Sequence, residues 1–188
     1  MILVIDNYDS FTYNLVQYVG YVTSDIVVYK NDEITISEIK ALNPERIIVS
    51  PGPGRPEKSM VSIDVVQNFK DTVPILGICL GHQVIGVEFG MDIGVSKNIF
   101  HGKTSDIFHD KDPIFNGIPS PFKGNRYHSL VLEDQKEIDE LTVIARTDDN
   151  LIMGIKYKKG PVYGLQFHPE SILTDYGKLI IKNFIKCI

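Results

Sequence analysis

One cysteine stands in a setting that would make it a nucleophile. Gly77-Ile78-Cys79-Leu80-Gly81 follows the apolar run Pro74-Ile75-Leu76 and leads into a helix-like stretch. This is the G-x-nucleophile-x-G pattern of a sharp strand-to-helix turn, with Cys in place of Ser. Such a turn crowds its neighbours, and glycines two residues to either side relieve the clash. The side chain is pushed out at the carboxyl end of the sheet. The helix N-terminus behind it offers free amides and a positive dipole end, both of which favour a thiolate. A free thiol near pKa ~8.5 is only a few per cent ionised at neutral pH, so about two units of depression supply roughly 2.7 kcal/mol towards the reactive form. The second cysteine, Cys187, lies near the end of a terminal helix with no such context.

A cysteine nucleophile needs a base, and the base needs an orienting partner. The chain has five histidines: His82, His101, His109, His128 and His168. His168 is the most informative. It falls where the apolar run Gly164-Leu165-Gln166-Phe167 ends and Pro169 stops the strand. Sites in open sheets form at such strand ends. Glu170, two residues on, can reach back to the imidazole, fix its tautomer and stabilise the imidazolium. His82 either lines the site or packs beside it, and His109, in an acidic turn, reads as exposed. A third element is Ser50-Pro51-Gly52-Pro53-Gly54-Arg55-Pro56. Alternating Pro and Gly make a rigid loop that can turn a backbone amide inwards. That amide and the amide of Leu80 would form an oxyanion hole, each donor worth roughly 3 kcal/mol in the transition state. The loop is too rich in proline for a phosphate cradle and lacks Gly-Lys-Ser/Thr. No Cys/His cluster has zinc spacing, so no metal and no cofactor is expected.

The elements that must position these residues follow from the apolar pattern. Residues 2–5 form an unbroken aliphatic run, as expected of a strand covered on both faces. Ser10 could cap a helix over residues 11–19. Strands follow at 25–29, 46–49 and 73–78, with helices at 37–42, 61–70 and 81–89. This alternation predicts an α/β fold with an open, mostly parallel, doubly wound sheet and helices on both faces. From residue 90 to 169 the pattern changes to short strands at 142–146, 152–157 and 162–166, read as antiparallel additions to the sheet or a small side sheet. Residues 176–185 close the chain as an amphipathic helix with Leu179, Ile180 and Phe184 facing inward.

Length and composition bound the class. At 188 residues the chain fits one domain spanning 1–188. The 43% hydrophobic and 23% charged residues are ordinary for a globular protein and exclude a disordered or collagen-like chain. A net charge of −5, with bases scattered, argues against nucleic-acid binding. The densest basic run, Lys156-Tyr157-Lys158-Lys159, reads as a solvated turn. No apolar run is long enough for a membrane helix. The opening residues lack a basic leader and meet Asp6 too soon for a signal peptide. Two cysteines are too few for a disulfide scaffold, so a reduced, cytoplasmic setting is expected.

Taken together, Pro51-Gly52-Pro53-Gly54, Gly77-Ile78-Cys79-Leu80-Gly81-His82-Gln83, Asn125-Arg126-Tyr127-His128-Ser129-Leu130 and Gln166-Phe167-His168-Pro169-Glu170-Ser171 resemble the class I, triad glutamine amidotransferases over essentially the whole chain. The opening residues 1–15 and His101-Gly102-Lys103-Thr104-Ser105 look like the branch serving anthranilate synthase and aminodeoxychorismate synthase. The resemblance implies that Cys79 attacks the side-chain amide of L-glutamine, that His168 shuttles the proton and that Glu170 orients His168. It implies an oxyanion hole at Gly54 and Leu80, and glutamine held by Gly52, Pro53, Gly54, Gln83, Ser129 and Leu130. Ammonia would pass to a larger, chorismate-using synthase subunit, in tryptophan biosynthesis or shared with folate biosynthesis. His101, Gly102, Lys103, Thr104 and Ser105 would face that partner. Gly54 stands where several relatives carry Cys, which leaves the amide available. The stretch Phe89-Gly90-Met91-Asp92-Ile93 lacks a second glycine often found there. Activity should depend on the partner through a shift of the loops carrying Gly54 and His101, both expected off the sheet core. Two rival readings remain: a free-standing Cys-His-Glu hydrolase of peptides or γ-glutamyl conjugates, and a flavodoxin-like binding module with an inert Cys79.

Overall fold

The computed structural model describes residues 1–96, 102–134 and 138–188. In the first half, strands and helices alternate: β1 (Ile2–Asp6), α1 (Thr12–Gly20), β2 (Ile26–Lys30), α2 (Ile36–Leu42), β3 (Arg46–Val49), α3 (Val61–Phe69), β4 (Ile75–Ile78) and α4 (Leu80–Glu88). The second half holds β5 (Ile93–Val95), β6 (Lys103–His109), β7 (Phe122–Arg126), β8 (Leu130–Leu132), β9 (Leu141–Thr147), β10 (Ile152–Tyr157), β11 (Val162–Leu165) and α5 (Gly177–Cys187). Among the described residues, nine strands join in the order β2-β1-β3-β4-β11-β10-β9-β6-β7, and β5 pairs with β8 in a separate two-stranded sheet. The run from β2 to β11 is parallel. From β11 to β7 every pair is antiparallel.

Strand alternation sends side chains to opposite faces, and the two faces carry separate cores. Ile2 and Val4 of β1, Ile48, Leu76 and Ile78 pack with Leu15 and Val19 of α1 and Ile180, Ile181 and Phe184 of α5. Leu3 and Ile5, Ile47, Val49 and Ile75 pack on the other side with Ile39 of α2, Val65 and Val66 of α3, and Val84 and Ile85 of α4. The doubly wound expectation is met. Each such buried aliphatic side chain contributes roughly 1.5–3 kcal/mol relative to exposure.

Three local expectations are corrected. Ser10 does not cap α1, whose N-cap residue is Phe11 with no side-chain cap. Asp6 shapes that turn instead, its Oδ1 accepting from the Tyr8 and Asp9 amides and from Thr12 Oγ1. Helix α2 starts earlier than the apolar pattern suggests because Thr35 and Glu38 form a reciprocal capping box. Strand β11, grouped by sequence with the antiparallel additions, lies inside the sheet and runs parallel to β4. That last point matters most. Because β1, β3, β4 and β11 are parallel neighbours, their carboxyl ends open on one rim. That rim is where open α/β sheets place sites.

Candidate active site

At the end of β4, Cys79 occupies φ 52°, ψ −99°, a conformation costing on the order of 1–3 kcal/mol for a residue with a side chain. Packing enforces it. A methyl group added at Gly77 would lie 2.3 Å from the Gly81 carbonyl oxygen, and one at Gly81 would lie 2.4 Å from that of Val49. Only two glycines let strand and helix approach this closely. The Cys79 amide donates to the Leu165 carbonyl at 2.8 Å, tying the elbow to β11. Cys79 is buried, and Leu80 opens α4, so its amide is one that a helix leaves unbonded.

At the end of β11, His168 is 2% exposed and Glu170 is 1% exposed. His168 Nδ1 and Glu170 Oε1 are 2.6 Å apart. The carboxylate is acceptor-only, so Nδ1 carries the proton and Nε2 is the working nitrogen. Nε2 makes no well-formed hydrogen bond within the protein, though it is close enough to Cys79 for the two charges to act on each other. Burial alone would push this imidazole down, but the charges of Cys79 and Glu170 outweigh it and hold the group well above its ordinary value. The loop is stitched to β7: the His168 amide donates to the Asn125 carbonyl at 2.9 Å, and Thr174 Oγ1 donates to the His168 carbonyl at 2.6 Å. Phe11 and Tyr127 set their rings edge-on to the imidazole, with centroids at 5.9 and 5.3 Å.

At the end of β3, the Pro-Gly loop is held by Asn7. The Asn7 amide donates to Ser50 Oγ at 2.9 Å and its Nδ2 to the Ser50 carbonyl at 3.0 Å. Its Oδ1 accepts from Asn31 Nδ2 and Ser62 Oγ. Gly54 adopts φ +83°. Between this loop and the elbow lies a cavity of about 160 Å³, small beside the ~300–1,000 Å³ of drug-sized pockets. Its walls bring together all six residues expected to hold a ligand, Gly52, Pro53, Gly54, Gln83, Ser129 and Leu130, with Cys79, Leu80, Tyr127 and His128. A larger hollow of about 440 Å³ near Val95, Glu133, Asp134 and Asp149 has neither cysteine nor histidine among the described residues that line it. Among the described residues no cluster of His, Cys, Asp and Glu could hold a metal ion.

The other histidines sort by burial. His82 is fully buried behind the elbow, packed against Gly164, and burial pushes it down to about 3. It packs and does not line the cavity. His128 is also pushed to about 3, by burial and then by the Arg126 charge. Arg126 Nε can only donate, so His128 Nε2 accepts at 3.0 Å and Nδ1 donates to the Leu130 carbonyl at 3.0 Å. This neutral ring fixes the 128–130 wall. His109, expected to be exposed in a turn, ends β6 and stacks on Phe115 at 4.5 Å. Of the residues expected to face a partner, His101 lies outside the described residues. Gly102 is half-buried, while Lys103 and Thr104 are exposed on β6 beside half-buried Ser105. The expected loop is therefore partly a strand, with Lys103, Thr104 and Ser105 paired to β7.

Sequence reasoning missed Asn7, Phe11, Tyr127 and Gln166 as parts of this rim. All four lie in the quoted motifs or opening but carry no local signature of a role. Gln166 Nε2 lies 3.7 Å from Cys79 Sγ, a contact across 87 positions that spacing cannot reveal.

A thiol beside an imidazole, facing a small polar cavity, can open an amide through a thioester. The class this defines is a cysteine-dependent amidohydrolase on an α/β sheet. The family model for glutamine amidotransferase class-I matches residues 3–187, and the chain belongs to that family: it is a glutamine-hydrolysing enzyme. The chain is 55% identical to the Bifunctional protein TrpGD of Thermotoga maritima, covering 98% of this chain but 32% of that longer protein. It is 49% identical to the Anthranilate synthase component 2 of Pyropia yezoensis, with 99% of each covered. It is 47% identical to the Aminodeoxychorismate/anthranilate synthase component 2 of Bacillus subtilis, covering 99% of this chain and 96% of that one. A solved structure from Thermoplasma acidophilum, provisionally described as one subunit of a GMP synthase, superposes with a TM-score of 0.86 at 28% identity, covering 98% of this chain and 91% of that one. No helix among the described residues is long and apolar enough to cross a membrane.

Proposed function

We propose that this chain, acting as one amidotransferase domain over residues 1–188, is the glutamine-hydrolysing component of an anthranilate synthase and works in the cytoplasm. Cys79 Sγ attacks the side-chain carbonyl carbon of L-glutamine. The oxyanion that forms is held by the amides of Gly54 and Leu80. His168 Nε2, which takes the Cys79 thiol proton as the sulfur becomes the nucleophile, gives that proton to the departing nitrogen; the carbon–nitrogen bond breaks, ammonia leaves, and a glutamyl thioester remains on Cys79. Water then attacks with His168 taking its proton, the carbon–sulfur bond breaks, and glutamate is released. Glu170 keeps Nδ1 protonated throughout and stabilises the imidazolium. Gly52, Pro53, Gly54, Gln83, Ser129 and Leu130 hold the amino acid.

The observation that supports this reading best is the cavity itself. It gathers residues from 52 to 130 around one sulfur, and its volume of about 160 Å³ suits a single amino acid rather than a peptide. The ammonia passes to a larger chorismate-using subunit, in keeping with the component 2 relatives. Strand β6, with Lys103 and Thr104 exposed beside Ser105, faces that subunit. The name of the Bacillus subtilis relative supports a second use with aminodeoxychorismate synthase.

The test is to purify the chain with its synthase partner and supply chorismate with either glutamine or ammonia. Cys79→Ser should lower glutamine-dependent product at least ~1,000-fold and leave ammonia-dependent product intact. Retention of glutamine use in that variant sinks the assignment of the nucleophile. An ortho product supports anthranilate, whereas a para product points to aminodeoxychorismate.

A further inference from the structure

Gln166 is an amide side chain with 0% exposure, placed between the cavity wall and the sulfur. Its Oε1 accepts from Gln83 Nε2 at 3.1 Å, and its Nε2 lies 3.7 Å from Cys79 Sγ. The polarity of this chain is fixed from its far end. The Leu130 carbonyl oxygen can only accept, and the Gln83 group 3.0 Å from it must therefore be the amino end. The second hydrogen on Gln83 Nε2 then meets the oxygen of Gln166. That leaves the amino end of Gln166 facing sulfur. Reversing either amide would set two donors or two acceptors against each other in a dry interior.

We propose that Gln166 is a positioning residue that joins the nucleophile to the ligand cavity. One end donates to Cys79 Sγ and holds the sulfur. The other end, together with the Leu130 carbonyl, takes both amide hydrogens of Gln83. The oxygen of Gln83 is thereby left as the end that meets an N–H of the bound amino acid. A donor aimed at sulfur stabilises the thiolate more than the thiol, because a hydrogen bond strengthens when its acceptor carries charge. Holding the sulfur also limits its motion in a residue whose backbone is already strained. This role rests on Cys79 being the nucleophile.

The two ends of Gln166 predict separable effects. Gln166→Met, of similar length and without donor or acceptor, should move the pH midpoint of Cys79 alkylation by iodoacetamide upward by about half to one unit. It should also lower kcat for glutamine hydrolysis about tenfold and raise KM several-fold. Gln166→Glu keeps an oxygen towards Gln83, so its KM should return to within about twofold of wild type. A side chain that merely filled space would change the melting temperature of these variants without moving the alkylation midpoint. Alkylation of folded Gln166→Met at the wild-type midpoint overturns the proposal. Should that variant fail to fold, Gln166→Ala, which overpacks nothing, carries the same alkylation test. Cys79→Ser is the control that separates the two claims. If it still hydrolyses glutamine, the nucleophile is wrong. If it is inactive while Gln166→Met alkylates as wild type, only the role of Gln166 falls.

Discussion

At the end of β4, Cys79 is held by close approach: backbone on backbone, with glycines at 77 and 81 where a methyl group would lie within 2.4 Å of a carbonyl oxygen. At the end of β11, His168 is held by hydrogen bonds, to Glu170 through its ring and to Asn125 and Thr174 through its backbone. The first arrangement stores strain and tolerates no added atom. The second is relaxed and combines near neighbours with one partner from β7, Asn125, more than 40 positions away along the chain. A nucleophile gains from a fixed, strained pose. A base that must shuttle a proton gains from an orienting partner that keeps one tautomer while the other nitrogen stays free to react.

Paired glycine substitutions test this contrast most directly. Gly81→Ala drives a methyl group to 2.4 Å from the Val49 carbonyl oxygen, which belongs to the central sheet and cannot retreat. A loss of about 3 kcal/mol or more is expected. Gly124→Ala, in β7, meets the Ile107 side chain at 2.7 Å. Phe167 Cγ lies 3.2 Å from the same methyl group, and both neighbours are buried. Side chains can shift by a few tenths of an ångström where a backbone carbonyl cannot, so a smaller loss of about 1–2 kcal/mol is expected. Chemical denaturation of both variants measures the difference. Equal losses would mean that the two halves do not differ in how tightly they fix the backbone.

The next effect is kinetic. Glu170→Gln removes the charge at the hydrogen-bonded end of His168 while keeping the shape. The imidazole loses one of the two charges that hold it well above its ordinary value. The variant should lower kcat about a hundredfold, less than Cys79→Ser, because an orienter is less indispensable than the nucleophile. Steady-state glutamine hydrolysis checks this. A loss as large as that of Cys79→Ser would give Glu170 a direct part in the chemistry.

The same contrast explains what was legible in the sequence. The elbow is written locally: glycine, cysteine and glycine within five residues, after an apolar strand. The parallel strands are unbroken aliphatic runs, so β1, β3 and β4 were readable. His168 and Glu170 are near neighbours, and Pro169 marks the strand end between them. Strands β6 and β7 were not readable, since Lys-Thr-Ser-Asp-Ile-Phe-His and Phe-Lys-Gly-Asn-Arg lack clean alternation. Their pairing is set by long-range partners. The parallel direction of β11 was hidden for a related reason: a short strand carries no record of its neighbours. The amide chain from Leu130 through Gln83 and Gln166 to Cys79 joins three distant stretches of the sequence, and no spacing rule contains it.

The smallest effect separates histidines that the fold keeps neutral from the one it charges. His82 is fully buried beside the elbow and, pushed to about 3, stays neutral in the folded protein. In the unfolded chain it protonates near its ordinary 6.5. Below pH 6.5 the unfolded state therefore binds more protons, and stability falls as the pH drops. His168 has the opposite sign: its folded pKa is raised, so its contribution is complete below 6.5 and is lost only as pH rises through the raised value. Folded His168 is protonated throughout pH 6.5 to 5, while the unfolded ring goes from half protonated to almost fully so, and its slope in this window is small and opposite in sign. That window isolates the neutral histidines. His82→Leu should leave stability above pH 7 little changed and remove about 2 kcal/mol of the wild-type loss between pH 6.5 and 5. Urea denaturation across that range measures it. Parallel pH dependence in wild type and variant would mean that His82 takes up a proton in the folded protein, and that the rim holds a second charged imidazole behind the elbow.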